Sequence, residues 1–139
     1  MMHKQKIYFD RAVTLDYTAL ASLPAVNIRP TVEYDARAHI LRGPLLLDVL
    51  AFASARPPPS GKLVLRAIDG FSVVISVEKA RRQRYMVATQ LDGAAMPLGG
   101  RGPLWALVDA DRIPELTSRP LATRFGACPW GLYQIEVQA

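Results

Sequence analysis

The sequence carries one cysteine, Cys128, and two histidines, His3 and His39, in 139 residues. A single thiol cannot close an internal disulfide, and no Cys-x-x-Cys pair offers a structural zinc site. The histidines lie far apart, so a metal site built from protein ligands has no support here. Long apolar runs are also missing. The longest, Leu45 to Ala55, is far shorter than the roughly 20 residues a membrane span needs, so no membrane insertion is expected. The numbered chain has no signal peptide pattern, because Met1-Met2-His3-Lys4 leads straight into Ile7-Tyr8-Phe9, which reads as a strand. No serine sits in a Gly-x-Ser-x-Gly context, and neither histidine has a visible partner, so no nucleophile constellation is present.

What is present is a foldable chain. Half of the residues are hydrophobic, which excludes disorder, and the length suits a single domain over residues 1–139. Net charge is +5, and thirteen of the seventeen basic residues are arginine. Arginine grips phosphate and carboxylate with a planar fork and stacks on rings. The arginines are scattered, however, from Arg11 to Arg124. The cluster Arg81-Arg82-Gln83-Arg84 reads as a solvated turn. No helix-turn-helix or RNA-motif signature accompanies them, so a nucleic-acid partner is not expected.

The stretch from Leu63 to Trp105 organises the rest. It holds three apolar runs, Leu63 to Ala67, Phe71 to Ile75 and Tyr85 to Leu91, punctuated by Asp69-Gly70 and Asp92-Gly93. Asp-Gly between apolar runs is a strong hairpin signal, because glycine takes positive φ without a Cβ clash. The stretch ends in a loop, Pro97 to Pro103, with Gly99, Gly100, Arg101 and Gly102, and Trp105 follows closely.

Around it, Lys6 to Phe9 reads as a strand. Thr14 is the expected N-cap of a helix over Leu15 to Leu23, which ends before Pro24. Ala25 to Tyr34 alternates like a strand broken at Pro30, and Ala36 to Leu41 is a second short run. Gly43-Pro44 should open a helix whose Leu45, Leu46, Val49, Leu50 and Ala53 share one face, with Asp48 off it. Arg56-Pro57-Pro58-Pro59-Ser60-Gly61 then stops it. Ser76 to Ala80 can form one helical turn, Trp105 to Val108 a strand, and Ile113-Pro114 a short turn. In the last run Tyr133, Ile135 and Val137 should face the core and Gln134, Glu136 and Gln138 water. These elements make an α+β domain with a mixed or barrel-like sheet and short helices.

The succession Arg42-Gly43-Pro44-Leu45-Leu46-Leu47-Asp48-Val49-Leu50, Ala67-Ile68-Asp69-Gly70-Phe71, Val87-Ala88-Thr89, Leu91-Asp92-Gly93, Met96-Pro97-Leu98 and Gly102-Pro103-Leu104-Trp105, closed by Trp130 and the final strand, resembles the oxidoreductase molybdopterin-binding domain. That domain is the fold of the sulfite oxidase catalytic core, and the likeness is greatest to its small stand-alone bacterial members. It spans about residues 5 to 138. In the enzymes of the family a cysteine thiolate upstream of the Gly-x-Pro-Leu helix start binds molybdenum. Here Val26 to Leu41 contains no cysteine, and Cys128 does not match that position. Two further departures are Ser76 after Ile75, where the family commonly has proline, and the five residues between Arg124 and Trp130, where sensor-like members have a closer pair.

The resemblance implies a non-catalytic module that binds a pterin or molybdopterin-type ligand, with no protein-bound metal, and signals its occupancy. The implied partner is a membrane signalling protein of cyclic-dinucleotide metabolism, and the implied compartment is the periplasm. A pterin needs a flat partner face and polar groups in its ring plane, and base-like rings on aromatics gain ~1–3 kcal/mol each. The candidate ligand-binding residues are Arg101, Trp105, Arg124, Trp130, Gly100 and Gly102. The alternative is a molybdenum-cofactor-dependent oxidoreductase of sulfite oxidase type with atypical metal ligation. A structural interaction domain with an empty pocket is a further reading.

Overall fold

The computed structural model describes residues 13–97 and 102–138. The expected strand at Lys6 to Phe9 lies outside these, as do Arg101 and Gly100. The described chain is α+β and runs through α1 (Tyr17–Ala21), β1 (Val26–Ile28), β2 (Thr31–Val32), β3 (Arg37–Ala38), β4 (Leu41–Gly43), α2 (Leu46–Phe52), β5 (Lys62–Ala67), β6 (Ser72–Ser76) and α3 (Val77–Arg82). It continues with β7 (Met86–Ala88), β8 (Gln90–Leu91), β9 (Ala94–Ala95), β10 (Trp105–Leu107), α4 (Pro114–Thr117) and β11 (Leu132–Gln138).

The strands form small antiparallel sheets in the orders β1-β4-β8-β9, β11-β5-β6, β10-β7 and β2-β3. Among the described residues there is no parallel pairing and no closed barrel, which corrects the mixed or barrel-like sheet expected from sequence. Strands of two or three residues are too short to curl into a continuous wall, so the sheets pack as separate plates. Their inner faces meet in one core that includes Leu41, Leu46, Leu63, Leu65, Met86, Trp105 and Leu107.

The β5–β6 hairpin forms where the two apolar runs and Asp69-Gly70 place it. Lys62 pairs with Ser76 and Arg66 with Ser72. Gly70 takes φ +95°, and the Asp69 carboxylate accepts from Phe71 N–H at 3.0 Å. Ser76 then ends β6 and caps α3, its hydroxyl accepting from Lys79 N–H at 2.9 Å. That satisfies one of the N–H groups a helix start leaves unpaired.

Three local expectations are corrected. The cap of α1 is Asp16, not Thr14, and its carboxylate accepts from Ala19 N–H at 2.8 Å. Pro44 does not begin α2. Its carbonyl accepts from Val87 N–H at 2.8 Å, Leu45 bridges to Met86, and Leu45 stays extended before the helix starts at Leu46. Tyr133 is 61% exposed, because the register of β11 against β5 shifts between Leu132 and Gln134. A bulge of this kind turns the following side chain over, so Leu132 takes the core position instead.

Gly43 joins two of the sheets. A Cβ there would collide with the Val87 carbonyl, so the backbones of β4 and β7 touch. Arg42 and Pro44 accept from Thr89 and Val87 N–H on either side of that contact, each at 2.8 Å. Glycine is needed at this point for close approach, not for an unusual φ.

A basic cavity beside the tryptophan pair

The end of α3, the chain after β10 and the segment from α4 to Cys128 enclose a cavity of about 320 Å³. That volume is at the lower end of the range for small-ligand sites, roughly 300–1,000 Å³. Lys79, Arg119 and Arg124 line it as cations, Gln83 adds an amide, and Val108 and Leu116 are apolar walls. Lys79 and Gln83 reach the same wall because they are four apart on the helix that Ser76 starts. Gln83 is only 8% exposed, although its neighbours in sequence are arginines. Among the described residues no ion pair involves Lys79 or Arg119.

Arg124 is already engaged on one side. Its Nε donates to the Arg119 carbonyl at 3.0 Å and its Nη2 to the Thr117 carbonyl at 3.2 Å. These carbonyls belong to the end of α4 and the turn after it, where acceptors lack helical partners. Its Nη1 lies 3.7 Å from Asp111. The second Asp111 oxygen accepts from both the N–H and the hydroxyl of Thr31, each at 2.8 Å. The guanidinium is therefore held in one orientation at the cavity wall.

Behind the wall, the Tyr85 hydroxyl donates to the Ala127 carbonyl at 2.9 Å. Burial pushes the Tyr85 hydroxyl well above its ordinary acidity range. Burial also pushes the Cys128 thiol up to about 12. A thiol in that state is protonated at neutral pH, and the thiolate is the nucleophilic form. Among the described residues no group of three or more His, Cys, Asp and Glu could hold a metal ion.

The two indoles do come together, but not around this cavity. Trp105 is fully buried and packs against Phe125 at 5.7 Å between ring centroids and against Trp130 at 5.6 Å. Its indole N–H donates to the Cys128 carbonyl at 3.1 Å. With no exposed surface its ring offers no open face for stacking, so its place is in the core, one residue behind the cavity. Trp130 is half-buried. Gly102 is buried against Met96: a Cβ would lie 2.5 Å from both the Met96 Cβ and its carbonyl oxygen. Its lack of a side chain lets the backbone pack closely against Met96. Of the sequence candidates within the described residues, Arg124 alone lines this cavity. Lys79, Gln83, Tyr85 and Arg119 were not among them. The i, i+4 spacing of Lys79 and Gln83 from a serine cap is the signal that points to the first two.

A second, larger groove of about 670 Å³ lies between α1, α2 and β11. Leu15, Leu20, Val49, Leu50 and Ile135 line it, with Arg56 and Glu136 at its polar parts. Glu136 is neutralised by Arg66 at 2.7 Å. This groove suits apolar rather than anionic contact. Among the described residues no helix is long and apolar enough to cross a membrane. No protein-family model matches the chain, and no curated protein matches it.

Proposed function

We propose that this chain is a non-catalytic module that binds a small planar anion of pterin type and passes occupancy to a partner protein. The observation that carries the reading is the basic cavity, lined by Lys79, Arg119 and Arg124 together with Gln83. A pterin presents donors and acceptors along one edge and two flat faces. The Gln83 amide can donate and accept in the ring plane. A guanidinium held flat, as Arg124 is, can serve as the stacking face that buried Trp105 does not provide. The order of sequence pieces supports the same reading, and with it a fold of the sulfite oxidase molybdopterin-binding type, exported to the periplasm beside a membrane signalling protein of cyclic-dinucleotide metabolism.

The alternative, a molybdenum oxidoreductase with atypical ligation, fits these residues less well. The one thiol, Cys128, is buried, and the segment upstream of the Gly43-Pro44-Leu45 stretch, where the resemblance places the metal ligand, contains no cysteine. Stoichiometric molybdenum in the purified protein would favour that alternative. The pterin reading is tested by acid release of any co-purified small molecule, followed by titration with oxidised and reduced pterins under fluorescence detection. Saturable binding that weakens in Lys79→Ala and Arg119→Ala is expected. Absence of binding up to millimolar pterin would remove the proposal.

A further inference from the structure

Just before β4, His39 lies between two turns. Its Nδ1 is 2.6 Å from Asp92 Oδ2, in the turn between β8 and β9, and its Nε2 is 2.7 Å from Asp35 Oδ2, in the turn between β2 and β3. A neutral imidazole has one N–H and one lone pair. With both nitrogens at hydrogen-bond distance from carboxylates, a neutral ring would set its lone pair against a carboxylate oxygen. Both contacts are favourable together only when the ring is the imidazolium.

We propose that His39 is a pH-sensitive latch that fastens the β2–β3 hairpin to the β8–β9 hairpin when protonated and lets the two turns part when neutral. The surrounding bonds make these turns the pieces that would move. β2 and β3 pair only with each other among the described residues. Their turn carries exposed Tyr34 at its tip, while Val32 at the base is fully buried. Asp92 also holds the backbone after His39: its Oδ1 accepts from Ile40 N–H at 2.9 Å, and its own N–H donates to the Ile40 carbonyl at 2.7 Å. Among the described residues, the charged groups around the ring include Asp35 on one turn, Asp92 on the other, and Arg29 from the β1–β2 connection, whose charge acts on Asp92.

The hydrogen bonds from Asp92 and Asp35 raise the His39 pKa from its ordinary 6.5. The bond to His39 holds Asp92 below the ordinary carboxylate value of 3.8. A raised histidine stabilises the closed form fully below 6.5, and that stabilisation is lost as pH rises through the folded value. The latch therefore opens with alkalinity, not with acid.

Amide hydrogen exchange at Ala36, Ile40 and Asp92, corrected for the intrinsic pH dependence of exchange, reads the opening directly. Opening should rise with pH between 6.5 and the folded pKa, by at most about tenfold per pH unit, and level off above it, as one linked proton dictates. In His39→Gln the opening should be independent of pH over the same range. Asp35→Asn, which retains the shape of the turn, should lower the His39 pKa seen by NMR, and it serves if the first variant does not fold. A His39 that titrates at or below the ordinary histidine value would overturn the latch, as would the same pH dependence in His39→Gln.

Discussion

The rings of Trp105 and Trp130 stand nearly perpendicular, 88° apart with centroids 5.6 Å from each other. This edge-on arrangement is favoured by the ring quadrupoles and adds about 0.5–1.5 kcal/mol beyond area burial. The two residues differ in what they lose on truncation. Trp105→Ala should cost about 3–5 kcal/mol, the range for large buried aromatics. Trp130→Ala should cost visibly less, because half-buried surface returns less to water. Urea unfolding of the two variants ranks them. A Trp130→Ala protein of near-normal stability that no longer binds pterin would assign that indole to the ligand instead of the fold.

Gly43→Ala tests whether the contact between β4 and β7 is as tight as it looks. The obstructing atoms are backbone, Val87 and Ala88, so no side chain can rotate away. Overpacking typically costs about 1–3 kcal/mol where the surroundings can adjust. Here the cost should reach or exceed the top of that range, seen as a lowered denaturation midpoint with unchanged slope.

Arg124 has two separable roles. Arg124→Ala removes donors to Thr117 and Arg119 and should cost about 1.5–3 kcal/mol, the range for bonds to charged groups. It should also weaken pterin binding. Arg124→Lys keeps the charge but cannot span two carbonyls with a planar fork. It should therefore recover part of the affinity and little of the stability. Thermal unfolding and ligand titration of the pair separate the two effects.

Cys128 should be inert in the native protein. With burial pushing its thiol up to about 12, it stays protonated at pH 8, and the thiolate is the form that reacts. Ellman's reagent should label it at the rate of unfolding, and denaturant should accelerate labelling sharply. The same burial sets a sign for alkaline stability. The unfolded thiol ionises near its ordinary 9.0 while the buried one does not, so stability falls as pH rises above 9.0. Tyr85 acts in the same direction. Cys128→Ala should flatten the alkaline limb of a stability-against-pH curve.

The β5–β6 hairpin was legible because two signals agreed there, two apolar runs and an Asp-Gly turn between them. β11 carried the alternation alone: a bulge between Leu132 and Gln134 turned Tyr133 outward, and Val137 is exposed near the strand end, while Ile135 packs against the core as sequence assigned it. Helix α2 was found by its apolar face, but its start was misplaced, since Pro44 is spent on a strand contact that only the tertiary fold supplies. The candidate site was less legible. Its walls come from residues 79–85, 108 and 116–128, and no local pattern links these. Trp105 drew attention as a large flat ring, yet composition cannot say whether an indole presents its face to a ligand or to the core. Gln83 was hidden by its arginine neighbours, which made a buried amide look like part of a solvated turn.

Asp111 accepts from Thr31 with one oxygen and approaches Arg124 with the other. The carboxylate is thus a shared anchor for the first hairpin and for the cavity's most ordered cation. Random mutagenesis screened for altered ligand affinity should return position 111, although Asp111 is not among the residues that border the cavity. Such hits would read as remote effects when each is one bond removed from the guanidinium.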